Sequence, residues 1–210
     1  MDMKSNQTTI PRKLIEGNPV LIVIDIQQGS FLPGTASGIP HMEDNVVRLR
    51  RARGVIDTAR IADIPIVFFQ EAHRDNMIDF GRELDGTEGV HCLEGNANTE
   101  IAAEEIGLQK DDYVIRKRRY SCFFGTEFEI LLKGLKADTL FLVGGLTDVC
   151  VHYTFVDAHQ HDYFCRVIED CVTGSSLEAH TASISAMEYL QTGAACKRAD
   201  VTVAFESFKC

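Results

Sequence analysis

Val143-Gly-Gly-Leu-Thr-Asp-Val-Cys150 is the stretch on which the fold turns. The apolar run that enters it, Thr139-Leu-Phe-Leu-Val143, has the length and composition of a short buried strand. The run ends in a Gly pair, and Thr147-Asp148 then reads as the cap of a helix. Cys150 falls in the first turn of that helix. A thiol there meets the positive end of the helix dipole and unpaired backbone N–H groups, which favour thiolate. A strand, a Gly turn and a helix headed by cysteine point to covalent catalysis by a thiol.

The same alternation runs outward in both directions. Val20-Leu-Ile-Val-Ile-Asp25 is a continuous apolar run closed by a carboxylate, as expected of a strand buried on both faces. Residues 43–62 show helical spacing. Pro65-Ile-Val-Phe-Phe-Gln70 is a second strand, followed by a polar, Gly-rich region of about 25 residues that is long for a plain connection. That length marks it as a candidate active-site loop. Further strands are expected at Asp112–Lys117, Thr139–Val143, Phe164–Ile168 and Asp200–Ala204. Helices are expected over 126–133, 149–161 and 177–191. Strands that alternate with helices predict an α/β fold. The expected form is a single domain over residues 1–210, with residues 1–17 as an N-terminal extension. Its core is a doubly wound, six-stranded parallel sheet with helices on both faces.

Composition narrows the function. A net charge of −10 argues against nucleic acid or an anionic membrane as partner. No apolar run approaches membrane-spanning length, and the polar start lacks a signal-peptide core, so a cytoplasmic location is expected. Seven cysteines, scattered without CxxC spacing, fit reduced thiols better than a disulfide framework.

In a parallel sheet, ligands bind at the carboxyl ends of the strands. Asp25, Lys117 and Cys150 all stand at or just past such ends. A carboxylate, an ammonium and a thiol together can run nucleophilic catalysis. The carboxylate takes the thiol proton, and the ammonium steadies the thiolate. Each residue also has a plainer reading. Cys150 alone is a small buried hydrophobe, Asp25 ends a strand, and Lys117 belongs to a basic run, Arg116-Lys-Arg-Arg119.

Four segments carry a resemblance that separates these readings: Leu21-Ile-Val-Ile-Asp-Ile-Gln-Gln28, Arg116-Lys-Arg-Arg-Tyr-Ser-Cys-Phe-Phe-Gly-Thr126, Gly144-Gly-Leu-Thr-Asp-Val-Cys-Val151 and Ile168-Glu-Asp-Cys-Val172. In this order they resemble the cysteine hydrolases of the isochorismatase-like superfamily. The resemblance implies an Asp25–Lys117–Cys150 triad and a cis peptide before Leu146. It also implies an oxyanion hole built from the N–H groups of Leu146 and Cys150. Many nicotinamidases of that superfamily carry an Asp-x-His plus His metal site near the second strand, often with Trp-His-Pro. This chain has no Trp and reads Gln70-Glu-Ala-His-Arg-Asp-Asn-Met77 there, so neither a metal nor any other cofactor is expected. Glu71-Ala-His-Arg74 and Tyr189-Leu-Gln-Thr-Gly193 look most like the amidohydrolases of biuret-type and N-carbamoyl compounds.

The substrate-binding candidates are Gln27, Phe31, His73, Arg74, Tyr120, Phe123, Thr147, Tyr153 and Gln191. Arg74 offers a planar fork for a carbonyl or carboxylate, and the Gln191 amide matches the mixed donor and acceptor pattern of a ureide. The aromatic residues serve equally well as core. The expected activity is hydrolysis of a C–N bond in a small amide or ureide. A homodimer or homotetramer is expected from the resemblance. Two other classes stay open: an isochorismatase-type vinyl ether hydrolase and a non-catalytic binding member.

Overall fold

A computed structural model describes residues 13–31 and 38–208 of the chain. Six parallel strands form one sheet: β1 Pro19–Ile24, β2 Ile66–Glu71, β3 Tyr113–Lys117, β4 Thr139–Gly145, β5 Phe164–Thr173 and β6 Ala195–Cys196. Their order across the sheet is β3-β2-β1-β4-β5-β6. The helices are α1 Asn45–Ile61, α2 Ala103–Ile106, α3 Phe128–Gly134, α4 His152–Gln160, α5 Leu177–Leu190 and α6 Arg198–Phe208.

The apolar run of β1 explains the double winding. Leu21 and Val23 face the helices α1 and α6, where Leu49, Val55, Ile56, Val201 and Phe205 close one core. Val20, Ile22 and Ile24 face the other side, against Phe128 and Leu132 of α3, Phe155 of α4 and Met187 of α5. Alternate side chains of one strand thus feed two cores, which requires apolar residues at every position. The chain order reverses beside β1, with β2 on one side and β4 on the other. That switch point opens a crevice at the carboxyl edge.

Five strands start within one residue of their sequence reading, although β5 runs five residues longer. The sixth does not. Asp200–Ala204 lies inside α6, and the last strand is the two-residue Ala195–Cys196. Val201 and Val203 suggest alternation, but the spacing that buries apolar surface is Val201 to Phe205, four apart on one helix face. Val203 is left 62% exposed. Of the expected N-terminal extension, residues 1–12 lie outside the described residues. The remainder is tied to the sheet: Arg166 donates to the Lys13 and Leu14 carbonyls, and Thr139 exchanges hydrogen bonds with the Glu16 backbone. Among the described residues, no helix is long and apolar enough to cross a membrane.

Candidate active site

Four strand ends deliver four ionisable groups to one point. Asp25 follows β1 with a left-handed φ of 51°, Glu71 closes β2, Lys117 closes β3, and Cys150 lies just past β4. Lys117 Nζ is 2.8 Å from Asp25 Oδ2 and 3.5 Å from Cys150 Sγ. It is also 2.5 Å from Glu71 Oε2, to which the Cys150 thiol itself points at 3.3 Å. Lys117 is fully buried, and Glu71 and Cys150 nearly so. The three residues singled out in the sequence therefore meet, together with a second carboxylate that was not.

The turn that carries Cys150 depends on Gly144, whose φ is +115°. A Cβ there would overlap the Ile24 carbonyl oxygen, so only glycine lets β4 end this close to β1. The Gly145–Leu146 peptide is cis. Thr147–Val151 then winds as a π turn, with the Val151 N–H reaching back to Leu146 O, before α4 begins at His152. The expected Thr-Asp cap does not form. Thr147 Oγ1 bonds His180 Nδ1 at 2.9 Å, and Asp148 accepts from the N–H and hydroxyl of Ser175.

Burial and neighbouring charges set the protonation pattern. Burial pushes the Asp25 carboxyl up to about 6, with Lys117 pulling against it and Glu71 adding to the rise. Burial acts upward on Glu71 too. There the Lys117 charge, with the neighbouring His73 and His91 rings, wins and holds the carboxyl well below its usual range. Burial opposes the Lys117 charge, yet Asp25, Cys150 and Glu71 together raise its pKa well above the ordinary value. The Cys150 thiol is raised well above its own, by burial first and then by the two carboxylates, against the pull of Lys117. The expectation of a thiolate from helix position alone is corrected. Burial and two anions favour the thiol over the thiolate, against the turn and the ammonium.

A second cluster shares Glu71. Its Oε1 lies 3.1 Å from His91 Nε2 and 3.5 Å from His73 Nε2, and His73 Nε2 lies 3.1 Å from Glu83 Oε2. The ligand-type atoms of Glu71, His73, Glu83 and His91 all fall within 4.8 Å of one another, and all four side chains are buried. Both His73 ring nitrogens and both Glu83 oxygens lack an aligned hydrogen bond. Two imidazoles and two carboxylates that converge on one point, two of them without an aligned hydrogen bond, fit the donor set of a zinc-like cation. Burial lowers the His73 pKa, but Glu71 and Glu83 outweigh it and carry it to about 9. His91 is raised too: burial opposes its charge, but Glu71, the Gly89 carbonyl and Glu88 outweigh it. The expectation that no metal-ligand cluster is present is therefore corrected. The sequence signal is Glu71-x-His73 at a strand end, where period-2 alternation puts both on one side. His91 and Glu83 come from a loop without periodicity.

A cavity of about 120 Å³ opens above Cys150. Its floor includes Asp25, Glu71, Leu146 and Cys150, and its walls include Gln27, His41, Asn45, Glu88, His91, Asn98 and Tyr120. Of the nine substrate-binding candidates, Gln27 and Tyr120 line it. The Gln27 amide is itself engaged by backbone, donating to Glu71 O and Thr99 O and accepting from Glu71 N.

The other seven sit elsewhere. Phe31 packs against the α1 side of the core, under the Arg50 guanidinium. His73 is stacked on Phe80 inside the second cluster. Arg74 is exposed, outside the cavity, and its backbone N–H donates to Asp79. Phe123 packs between Phe128 and His161. Thr147 is held by His180. Tyr153 is 56% exposed, edge-on to Tyr120. Gln191 ends α5, which returns the chain to the amino end of the sheet. Its amide bonds the Cys165 N–H and C=O at the start of β5, far from the rim. The long loop after β2 does reach the site, contributing Glu88, His91, Cys92, Asn96 and Asn98.

Residues 19–200 match the isochorismatase domain model. Ureidoacrylate amidohydrolase RutB of Pseudomonas savastanoi pv. phaseolicola is 26% identical over 181 residues, covering 76% of this chain and 72% of that protein. N-carbamoylsarcosine amidase from Thermoplasma acidophilum superposes with a TM-score of 0.71 at 28% identity, covering 87% of this chain and 97% of that one. Pyrazinamidase of Pyrococcus horikoshii in complex with zinc gives 0.73 at 26% identity, covering 86% and 99%.

Proposed function

The chain belongs to the isochorismatase family, and we propose that within it the protein is a cysteine-dependent amidohydrolase of small linear amides or ureides, of the biuret, triuret or N-carbamoyl kind. One observation carries this reading: Cys150 Sγ sits 3.5 Å from Lys117 Nζ, which is itself 2.8 Å from Asp25 Oδ2, at the floor of a small cavity. The names of RutB and of the carbamoylsarcosine amidase support the same class.

The chemistry follows from the groups. Asp25 accepts the Cys150 proton as sulfur attacks the substrate carbonyl, and Lys117 balances the charge that passes through sulfur. The N–H groups of Leu146 and Cys150 take the oxyanion; each such donor is worth about 3 kcal/mol of transition-state stabilisation. The C–N bond breaks, and Asp25 returns its proton to the departing ammonia or amine. Water, deprotonated by Asp25, then attacks the thioester; the C–S bond breaks, and Asp25 returns the proton to sulfur to restore the thiol. Glu71, His73, Glu83 and His91 are the residues that would hold a divalent cation. Bound there, it would neutralise their two carboxylates and fix the loop after β2 to the sheet. No step of the acyl transfer passes through it.

The same reading makes the protein a cytoplasmic homodimer or homotetramer, with no nucleic-acid or membrane partner. A turnover screen tests the activity, read as ammonia release for biuret, triuret, N-carbamoyl compounds, maleamate and nicotinamide, and as pyruvate release for isochorismate. Release from a ureide or carbamoyl compound is the expected result. Turnover of isochorismate alone, undiminished in Cys150→Ser, would overturn it.

A further inference from the structure

We infer that the substrate group beyond the scissile carbonyl is uncharged or cationic and donates a hydrogen bond to Glu88, whose carboxylate excludes ureides that carry a carboxylate of their own. This rests on the amidohydrolase reading above and narrows it.

The charges around the cavity motivate the inference. Three carboxylates line it: Asp25, Glu71 and Glu88. Among the described residues, no Lys or Arg does. The nearest ammonium, Lys117, is fully buried below the floor and already faces two carboxylates. His91 lines the cavity but is paired with Glu71 at 3.1 Å, and burial disfavours the charged form of His41. The arginines nearby in sequence are directed elsewhere. Arg118 donates to Ala72 O and Glu94, and Arg119 to Asp79 O.

Glu88 differs from the other two carboxylates. It is half-buried on the loop after β2, and its Oε2 accepts from the Tyr120 hydroxyl at 2.9 Å. No ion pair engages it among the described residues. Its other oxygen is thus left to accept from a ligand, and Tyr120 fixes the carboxylate's direction. An N–H or a cation on the substrate satisfies that acceptor. A carboxylate placed there meets like charge in a partly desolvated space, a repulsion that works as selection against the wrong compound.

Two isosteric pairs test this. N-carbamoylglycinamide and N-carbamoylglycine differ only in a neutral amide against a carboxylate. The parent enzyme should favour the amide in kcat/KM by roughly tenfold or more, and Glu88→Gln should shrink that preference to about threefold or less. Iodoacetamide and iodoacetate form the same kind of pair for alkylation of Cys150, followed by mass on its peptide and normalised to a free thiol. The neutral reagent should win by a similar margin, again diminished in Glu88→Gln.

The alkylation ratio needs no turnover. If neither carbamoyl compound is hydrolysed, the amidohydrolase reading suffers, while the ratio still decides the charge preference. Equal or greater reactivity of the anionic member overturns the inference. So does a preference that Glu88→Gln leaves intact.

Discussion

Glu71 and Lys117 are register partners across β2 and β3, and their side chains meet at 2.5 Å directly beneath the Cys150 thiol. One ammonium therefore serves two carboxylates, since Asp25 lies 2.8 Å from the same nitrogen. Their environments push the two acids apart, Asp25 up to about 6 and Glu71 well below the usual range. Acids separated in this way divide the work. Asp25 is suited to carry the proton, and Glu71 is the standing counter-charge.

Lys117→Met should cost stability as well as activity. It leaves two buried carboxylates without their common cation, a change worth about 3 kcal/mol or more. Urea denaturation near neutral pH should show the loss. The loss should shrink at acid pH, where Asp25 takes up its proton. An unchanged midpoint would mean that the ammonium is not the charge that holds this floor together.

The pH profile should follow Asp25. The group faces Lys117 from β3, Glu71 from β2 and Cys150 from the turn after β4. Its pKa is raised, so the proton-accepting form predominates only above about 6. kcat/KM should fall as pH drops through that value, and Asp25→Asn should abolish turnover at every pH. A flat profile down to pH 5 would contradict this assignment.

Zinc added to chelator-treated protein should raise Tm, because a ligand held only by the folded state stabilises it. His73→Ala should remove the response. Turnover at 25 °C should survive chelation and gel filtration, as the proposed acyl transfer passes through no cation. A Tm indifferent to zinc would leave the Glu71–His73–Glu83–His91 group as a network held by protons on its imidazoles.

Arg74→Ala should leave KM unchanged, since Arg74 is exposed and outside the cavity. Gln191→Ala should instead destabilise by about 1–2 kcal/mol, because it strands the Cys165 N–H in the interior, while the Cys165 C=O keeps its bond from Arg166. Equilibrium unfolding beside steady-state kinetics separates the two effects. A raised KM in Arg74→Ala would return that residue to the pocket.

These contrasts show what the chain reveals before it folds. Asp25 and Cys150 were legible because buried parallel strands announce themselves as apolar runs, and the rim lies where each run ends. Lys117, on the largely exposed edge strand β3 and inside a basic run, stands out only through the family resemblance. Gln191 misled because a polar residue near a helix end says nothing about which edge of the sheet that end reaches. Val201 and Val203 misled because two β-branched residues in alternation imitate a strand, while the deciding contact, Phe205, lies beyond the window. Glu83, Glu88 and His91 come from a loop with neither helical nor strand period. Only the folded path of residues 72–102 puts them beside Glu71. The thiol state of Cys150 was misread for a related reason: helix position is visible in sequence, whereas burial beside two carboxylates is not.

The central claim is that Cys150 forms the covalent bond to substrate. Rapid quenching of the parent enzyme with a slowly hydrolysed carbamoyl substrate, followed by peptide mass analysis, measures this directly. The expected result is the acyl mass on the peptide that carries Cys150, with no adduct and almost no turnover in Cys150→Ser. An adduct on another cysteine, such as Cys92 in the cavity wall, or near-parental turnover in Cys150→Ser, would contradict it.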